Sequence, residues 1–223
     1  MKKNNKTLRV AAVLAVGALL STCLVSGTFA KYVTDGTSSD EARVAKWGVT
    51  VSPAGNSAFK TNYTTNDQAA AYEGAYSVVS SNNKENVVAP GTEGRLTTVT
   101  LSGKPEVAVR VTNSANVTLT GWSADNNYYC PLEVTVGQTT LKGTDVKYGS
   151  AADFEKAIKA AIDAYTADYK PGTDLSSEKA ACPVVTWKWA FAGNDDTKDT
   201  ALGNAADAPT VNIAITTTVT QID

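Results

Sequence analysis

The feature that most limits what this chain can fold into is an alternation of apolar and polar residues at every second position. Val107, Val109 and Val111 are separated by Ala108 and Arg110, and Leu132, Val134 and Val136 by Glu133 and Thr135. Val185, Trp187, Trp189 and Phe191 alternate with Thr186, Lys188 and Ala190, and Val211, Ile213, Ile215 and Val219 share one face of a last run that carries Thr216, Thr218 and Thr220 on the other. Successive side chains of an extended backbone point to opposite faces, so such runs are strands with one buried face. Less regular strands are expected over residues 43–51, 75–80, 95–101 and 116–122. Turn chemistry separates them at Ala89-Pro90-Gly91-Thr92, Gly103-Lys104-Pro105, Asn126-Asn127 and Gly193-Asn194-Asp195. Many short strands with turns between them argue for a mostly β fold, an antiparallel sandwich.

One segment breaks the pattern. Between residues 151 and 169 the apolar positions are Phe154, Ala157, Ile158, Ala161, Ile162 and Tyr165, the spacing of one helical face. Ser150 suits the N-cap and Pro171-Gly172 the stop, which predicts an inserted amphipathic helix over about 151–169. Lys156, Lys159, Asp163 and Asp168 are expected to face water.

The first thirty residues have the three parts of an export signal. Lys2, Lys3, Lys6 and Arg9 form the basic part, Val10 to about Val25 the apolar part, and Gly27-Thr28-Phe29-Ala30 a small-residue cleavage site. Cleavage between Ala30 and Lys31 is expected, with a retained membrane anchor as the alternative. Leu20-Ser21-Thr22-Cys23 resembles a lipidation box, but Thr22 is bulky for the position before a modified cysteine, so Cys23 reads as part of the discarded peptide. Residues 31–40 then form a short polar N-terminal segment and residues 41–223 a single domain. The whole chain has 20 basic and 22 acidic residues, and removing the four basic residues of the signal leaves 16 against 22, a net charge of −6. A moderately acidic secreted protein follows, with no electrostatic case for nucleic acid. No sorting motif or apolar tail is visible at the C-terminus, so retention at a cell surface would need another component.

Cys130 and Cys182 are the cysteines left after cleavage, and outside the cell two cysteines are expected to form a disulfide; two unpaired buried thiols are the alternative. The bridge would close a loop of 52 positions (182 minus 130), worth about 4 kcal/mol in the chain-entropy picture. The sequence contains no histidine, which removes Ser-His and Cys-His nucleophiles and zinc helices of the HExxH type. No cofactor, catalytic residue or metal site is expected. Asn194, Asp195, Asp196 and Asp199 could offer oxygen ligands to calcium but lack the glycine and terminal glutamate of an EF-hand loop, and read as a solvated turn. Tyr63, Tyr72, Tyr76, Tyr128 and Tyr129 could line a sugar-binding face, while Trp187 and Trp189 belong on a core face.

The run Ser26-Gly27-Thr28-Phe29-Ala30-Lys31-Tyr32-Val33-Thr34-Asp35, with Val44-Ala45-Lys46-Trp47-Gly48-Val49 about ten residues on, resembles the signal region of the TasA/camelysin family of secreted Gram-positive biofilm matrix proteins. Ala89-Pro90-Gly91-Thr92 leading into residues 95–111, and the closing strand from Val211, are similar in layout. The resemblance implies a jelly-roll domain, export through a SipW-like signal peptidase and assembly into a fibre in the biofilm matrix or at the cell surface. It further implies head-to-tail assembly with other copies of itself, in which Lys31, Tyr32, Val33, Thr34 and Asp35 of one subunit add as a donor strand to the sheet of the next. Other matrix or cell-surface components are further candidate partners. A monomeric surface-binding or adhesion module, for glycan, is the alternative, marked by an exposed row of tyrosines. Some relatives have been called metalloproteases, a reading that ranks lower for a chain without an ordinary zinc ligand set.

Overall fold

The computed structural model describes residues 42–52, 58–64, 77–81, 83–96, 99–177, 182–190 and 195–223. The expected cleavage site Ala30–Lys31 and the donor residues Lys31–Asp35 lie outside them. The chain divides into two compact units, Met1–Arg43 and Val44–Asp223, and every described strand and helix belongs to the second. In chain order these are β1 (Thr50–Ser52), β2 (Asn62–Thr64), β3 (Ser77–Ser80), β4 (Glu93–Leu96), β5 (Thr100–Ser102), β6 (Val109–Thr120), β7 (Ser123–Ala124), β8 (Asn127–Tyr128), β9 (Leu132–Val136), β10 (Thr139–Lys142), α1 (Ala151–Asp163), β11 (Thr166–Tyr169), β12 (Val185–Trp189), α2 (Asp196–Gly203) and β13 (Thr210–Gln221). The fold is mostly β and each named strand pairing is antiparallel, consistent with a sandwich.

Two larger sheets have the orders β10-β9-β12-β4 and β11-β6-β13. The alternation read from the sequence sets their faces: Leu132, Val134 and Val136 on β9 and Val185, Trp187 and Trp189 on β12 are buried, whereas the residues between them are exposed or half-buried. β6 is a single twelve-residue strand where the sequence suggested separate strands around residues 107–111 and 116–122. No glycine or proline interrupts it, and its odd-numbered side chains stay inward throughout. Val109 and Val111 enter a smaller cluster with Leu101, Tyr169 and Leu175. Ala115, Val117 and Leu119 enter a larger one that also takes the inner residues of β9 and β12 and Phe154, Ile158 and Ile162 of α1. Between the two groups sits Asn113, 6 % exposed, whose Nδ2 donates to the Tyr165 carbonyl at 2.9 Å and whose Oδ1 accepts from the Thr217 hydroxyl at 2.7 Å. A buried amide tolerates this position because both of its ends are bonded.

The helix is shorter than its apolar stripe. Ser150 is the N-cap, its hydroxyl accepting from the Asp153 N–H at 3.2 Å. Past Ala164 the chain straightens into β11, and Thr166–Tyr169 pairs with Thr112–Val109. Ladder bonds to the free edge of β6 outweigh another turn of helix for a segment that contains a β-branched Thr166. Asp168, expected on a water-facing helical surface, is instead a strand residue bound bidentately to Arg110 at 2.6 Å for each contact. Beyond β11's reach, α1 replaces a strand along β6. The Leu119 N–H donates to Glu155 Oε1 at 2.6 Å and the Ala115 N–H to Asp163 Oδ1 at 2.9 Å.

Further departures lie at the start of the described chain and near its end. Of the strand expected over residues 43–51, with Val44, Trp47, Val49 and Val51 as its apolar members, only Thr50 and Val51 are strand, and Val44, Trp47 and Val51 are exposed. The region 95–101 is divided between β4 and β5. Asp195, Asp196 and Asp199, read as a solvated turn, form the N-cap and first turn of α2. That helix has one buried residue, Leu202, so it lacks the apolar periodicity by which a helix is recognised.

Gly94 on β4 illustrates how closely the two outer segments meet. The Trp187 indole N–H donates to the Ala58 carbonyl at 2.8 Å, directly over Gly94, where a Cβ would lie 2.1 Å from that oxygen and 2.6 Å from Nε1. Only glycine admits this bond.

Removing the helix carboxylate that serves β6 orphans a buried amide. Glu155→Ala should lower unfolding stability by about 1–3 kcal/mol, and Glu155→Gln, which keeps an acceptor oxygen, by clearly less. Urea unfolding followed by circular dichroism measures the difference.

Candidate functional site

Each of the two larger sheets has two edge strands, and one from each, β4 and β13, borders the same cleft. β4 pairs with β12 alone and β13 with β6 alone among the described strands. The cleft measures about 710 Å³ and is lined by Leu96 of β4, Thr210–Ile213 of β13, Trp122, Trp189, Phe59, Val87, Val88 and Leu202. Its floor is aromatic and fixed. The Trp122 and Trp189 rings lie 5.8 Å apart at 58°, and the Trp122 Nε1–H donates to the Thr210 carbonyl at 2.8 Å, which ties the floor to the first residue of β13. Behind the lining residue Val87, the Tyr63 hydroxyl donates to the Val87 carbonyl and accepts from the Lys60 N–H, both at 2.9 Å.

β13 itself is unusual for an edge. Thr210–Gln221 contains no charged residue, glycine or proline, and it pairs with β6 without interruption from Thr210↔Thr120 to Gln221↔Val109. The direction of its free amides follows from β6. Ala115 and Leu119 send their N–H groups to α1, away from β13, so their register partners Ile215 and Val211 also point their amides away from β6, to the open side. Both side chains are half-buried against the larger cluster, and Val211 also lines the cleft. The site thus offers a row of backbone donors and acceptors above an apolar trough.

Asp199 closes one end. Its Oδ1 accepts from the Tyr129 hydroxyl at 2.6 Å and its Oδ2 from the Trp189 Nε1–H at 3.3 Å, which fastens α2 to the cleft floor. Lys198 lies 5.1 Å over the Tyr129 ring and pairs with Asp195 at 3.4 Å. Burial, reinforced by the Asp199 carboxylate, raises the Tyr129 hydroxyl above the ordinary tyrosine range. On the outer face of the four-stranded sheet Glu133 takes Lys142 at 3.0 Å and Lys188 at 3.1 Å. Burial alone would raise its pKa, and the two ammonium groups hold it below the usual carboxylate range.

Several residues singled out in the sequence are elsewhere. Of the tyrosines that could line a sugar-binding face, Tyr63 and Tyr129 are buried at 8 % and 7 % exposure and Tyr128 is half-buried, and Tyr72 and Tyr76 lie outside the described residues. Trp187 and Trp189 are core residues as expected. Cys130 and Cys182, expected as a disulfide, are both free thiols, the first in the larger cluster and the second against the smaller one. Among the described residues no group of three or more His, Cys, Asp or Glu is placed to hold a metal ion, and no helix is long and apolar enough to cross a membrane. The role of Asp199 and the trough formed by Val87, Val88, Leu96 and Ile213 were not foreseen from sequence. Only the uncharged length of residues 210–221 offered a signal. No family model, curated protein or solved structure matches the chain.

The thiol environments make a direct prediction. Burial pushes Cys130 up to about 12, whereas the half-buried Cys182 is raised by burial alone and to a lesser degree of enclosure. In the native protein an alkylating reagent should modify Cys182 well before Cys130, as mass spectrometry of timed samples would show. The sign of the pH effect follows from the same burial. The folded thiol keeps its proton to about 12 while the unfolded one loses it near 9.0. The Tyr128 and Tyr129 hydroxyls are shifted in the same direction. Stability is therefore whole below about pH 9 and falls as the pH rises beyond it, so the urea midpoint should be lower at about pH 10.5 than at about pH 8.

Asp199→Ala removes the acceptor of two buried donors. It should destabilise the protein by about 1–3 kcal/mol and increase hydrogen exchange in α2 more than in β9.

Proposed function

We propose that this protein is a secreted structural subunit of the TasA/camelysin type, a jelly-roll domain that assembles head to tail into an extracellular or biofilm-matrix fibre. The observation that carries the reading is the uncharged twelve-residue edge of β13, open among the described strands, whose first four residues, Thr210–Ile213, line a largely apolar cleft. Soluble proteins ordinarily blunt such an edge with lysine, proline, a bulge or a covering element, because its unpaired amides recruit other strands. Strand addition satisfies those amides, and alternate side chains of the incoming strand fill the trough below.

The donor in this reading is Lys31–Asp35 of another copy, freed by a SipW-like signal peptidase cutting after Ala30. Tyr32 and Thr34 lie on one face of an extended segment and Val33 on the other, so one face or the other can descend toward Trp122 and Leu96. The rival reading as a glycan-binding module calls for exposed tyrosines, and among the described ones Tyr63 and Tyr129 are buried. A metalloprotease reading has no described metal-ligand cluster in its favour.

Purified chain beginning at Lys31 should form filaments in negative-stain micrographs, and chain beginning at Ser39 should stay monomeric in sedimentation. Equal assembly of the two would end the strand-donation reading.

A further inference from the structure

The four tryptophans fall into two groups. Trp122, Trp187 and Trp189 are buried at 3 %, 3 % and 5 % exposure, whereas Trp47 is 41 % exposed, with Val44 at 91 % and Val51 at 37 % on the same arm. Exposed residues at a loose end would carry no meaning, but the backbone on either side of Trp47 is fastened. The Lys46 N–H donates to Glu106 Oε2 at 2.8 Å, and the Lys46 carbonyl accepts from the Glu106 N–H at 2.9 Å. Immediately after it, the Gly48 carbonyl comes so near Gly103 that a Cβ on Gly103 would stand 1.7 Å from the oxygen. Trp47 is thus presented to solvent from a fixed stretch of chain, and it belongs to neither hydrophobic cluster.

We propose that Trp47, with Val44 and Val51, is a docking patch for a second copy of this chain, the copy that accepts the N-terminal strand. The inference rests on the strand-donation reading above and adds to it a contact outside the donor strand itself. Length is what commits the patch to that copy. Val44 is nine residue steps from Asp35 (44 minus 35), and an extended chain covers at most about 3.3–3.6 Å per step, so the span is no more than roughly 32 Å. A body whose donor residues lie in the neighbour's cleft therefore has this arm held close to the neighbour's surface. Tryptophan with an aliphatic neighbour suits the desolvated centre of such a contact, and Lys46 suits its polar rim. The fastening at Glu106 means that little backbone freedom is lost when the patch is covered.

Iodide quenching of tryptophan fluorescence reads Trp47 selectively, because the other three indoles are buried. In the chain beginning at Lys31, quenching should be present before assembly and lost in the assembled material. Trp47→Ala should raise the concentration required for assembly about tenfold or more while leaving the thermal midpoint unchanged, and Trp47→Phe should recover part of the loss. If Trp47 stays open to iodide in assembled wild-type chain, or if Trp47→Ala assembles at the wild-type concentration, the patch is wrong and strand donation stands. Should Trp47→Ala misfold, the quenching of the wild-type chain still decides. Failure of the wild-type chain to assemble at all overturns the strand-donation reading, and the patch with it.

Discussion

The rest of the structure depends on how β6 satisfies its two edges. Twelve consecutive residues in the middle of a fold cannot leave their amides unpaired, since each orphaned buried group costs about as much as a lost hydrogen bond. One edge is met by β13 along its whole length. The other is met in parts, by β11 over Val109–Thr112 and then by the carboxylates of Glu155 and Asp163. This division fixes the place of α1, because two carboxylates eight positions apart on one helix must meet amides four positions apart on one strand. The fit is geometric: eight residues of helix rise about 12 Å and four of strand about 13 Å. With α1 so placed, Phe154, Ile158 and Ile162 enter the same cluster as the inner faces of β9 and β12.

The same arrangement leaves β13 with a side that no other described strand pairs. A strand that pairs with β6 on alternate amides directs the remaining amides outward, and nothing in Thr210–Gln221 discourages pairing there. The trough beneath that side is built from residues that each have another duty. Trp189 belongs to the core, Trp122 holds the start of β13, and Asp199 binds α2 to both Tyr129 and Trp189. A cleft made of such residues is preformed, which lowers the conformational cost of receiving a strand. Stability of the body and shape of the cleft are consequently not separable properties in this protein.

A further consequence concerns the joint between the two hydrophobic clusters. β6 contributes to both, and Asn113 marks the change from one to the other with bonds to the Tyr165 carbonyl and to Thr217 of β13. Those two bonds connect the end of the helix region to the edge strand through one amide. Replacing Asn113 with an apolar residue would merge the clusters but strip the Tyr165 carbonyl and Thr217 hydroxyl of these contacts, so polarity here fixes register more than it adds to burial.

The sequence alone determined the strands and their faces wherever the period was strict. Leu132–Val136 and Val185–Trp189 are strands with the expected residues inward, β13 covers the last alternating run, and Ser150 caps the helix. These features are local: a period of two, a capping hydroxyl and a turn glycine act through neighbouring residues. What only the tertiary structure decided is where a local pattern yields to a distant partner. Residues 166–169 leave the helix because β6 offers them a ladder, and Val44, Trp47 and Val51, apolar members of an expected strand, are exposed, because reciprocal bonds from Lys46 to Glu106 hold the arm without covering it. The cleft belongs to this second class. Its walls come from positions between Ala58 and Ile213, and no spacing in the sequence reveals which edges two sheets will leave open beside each other.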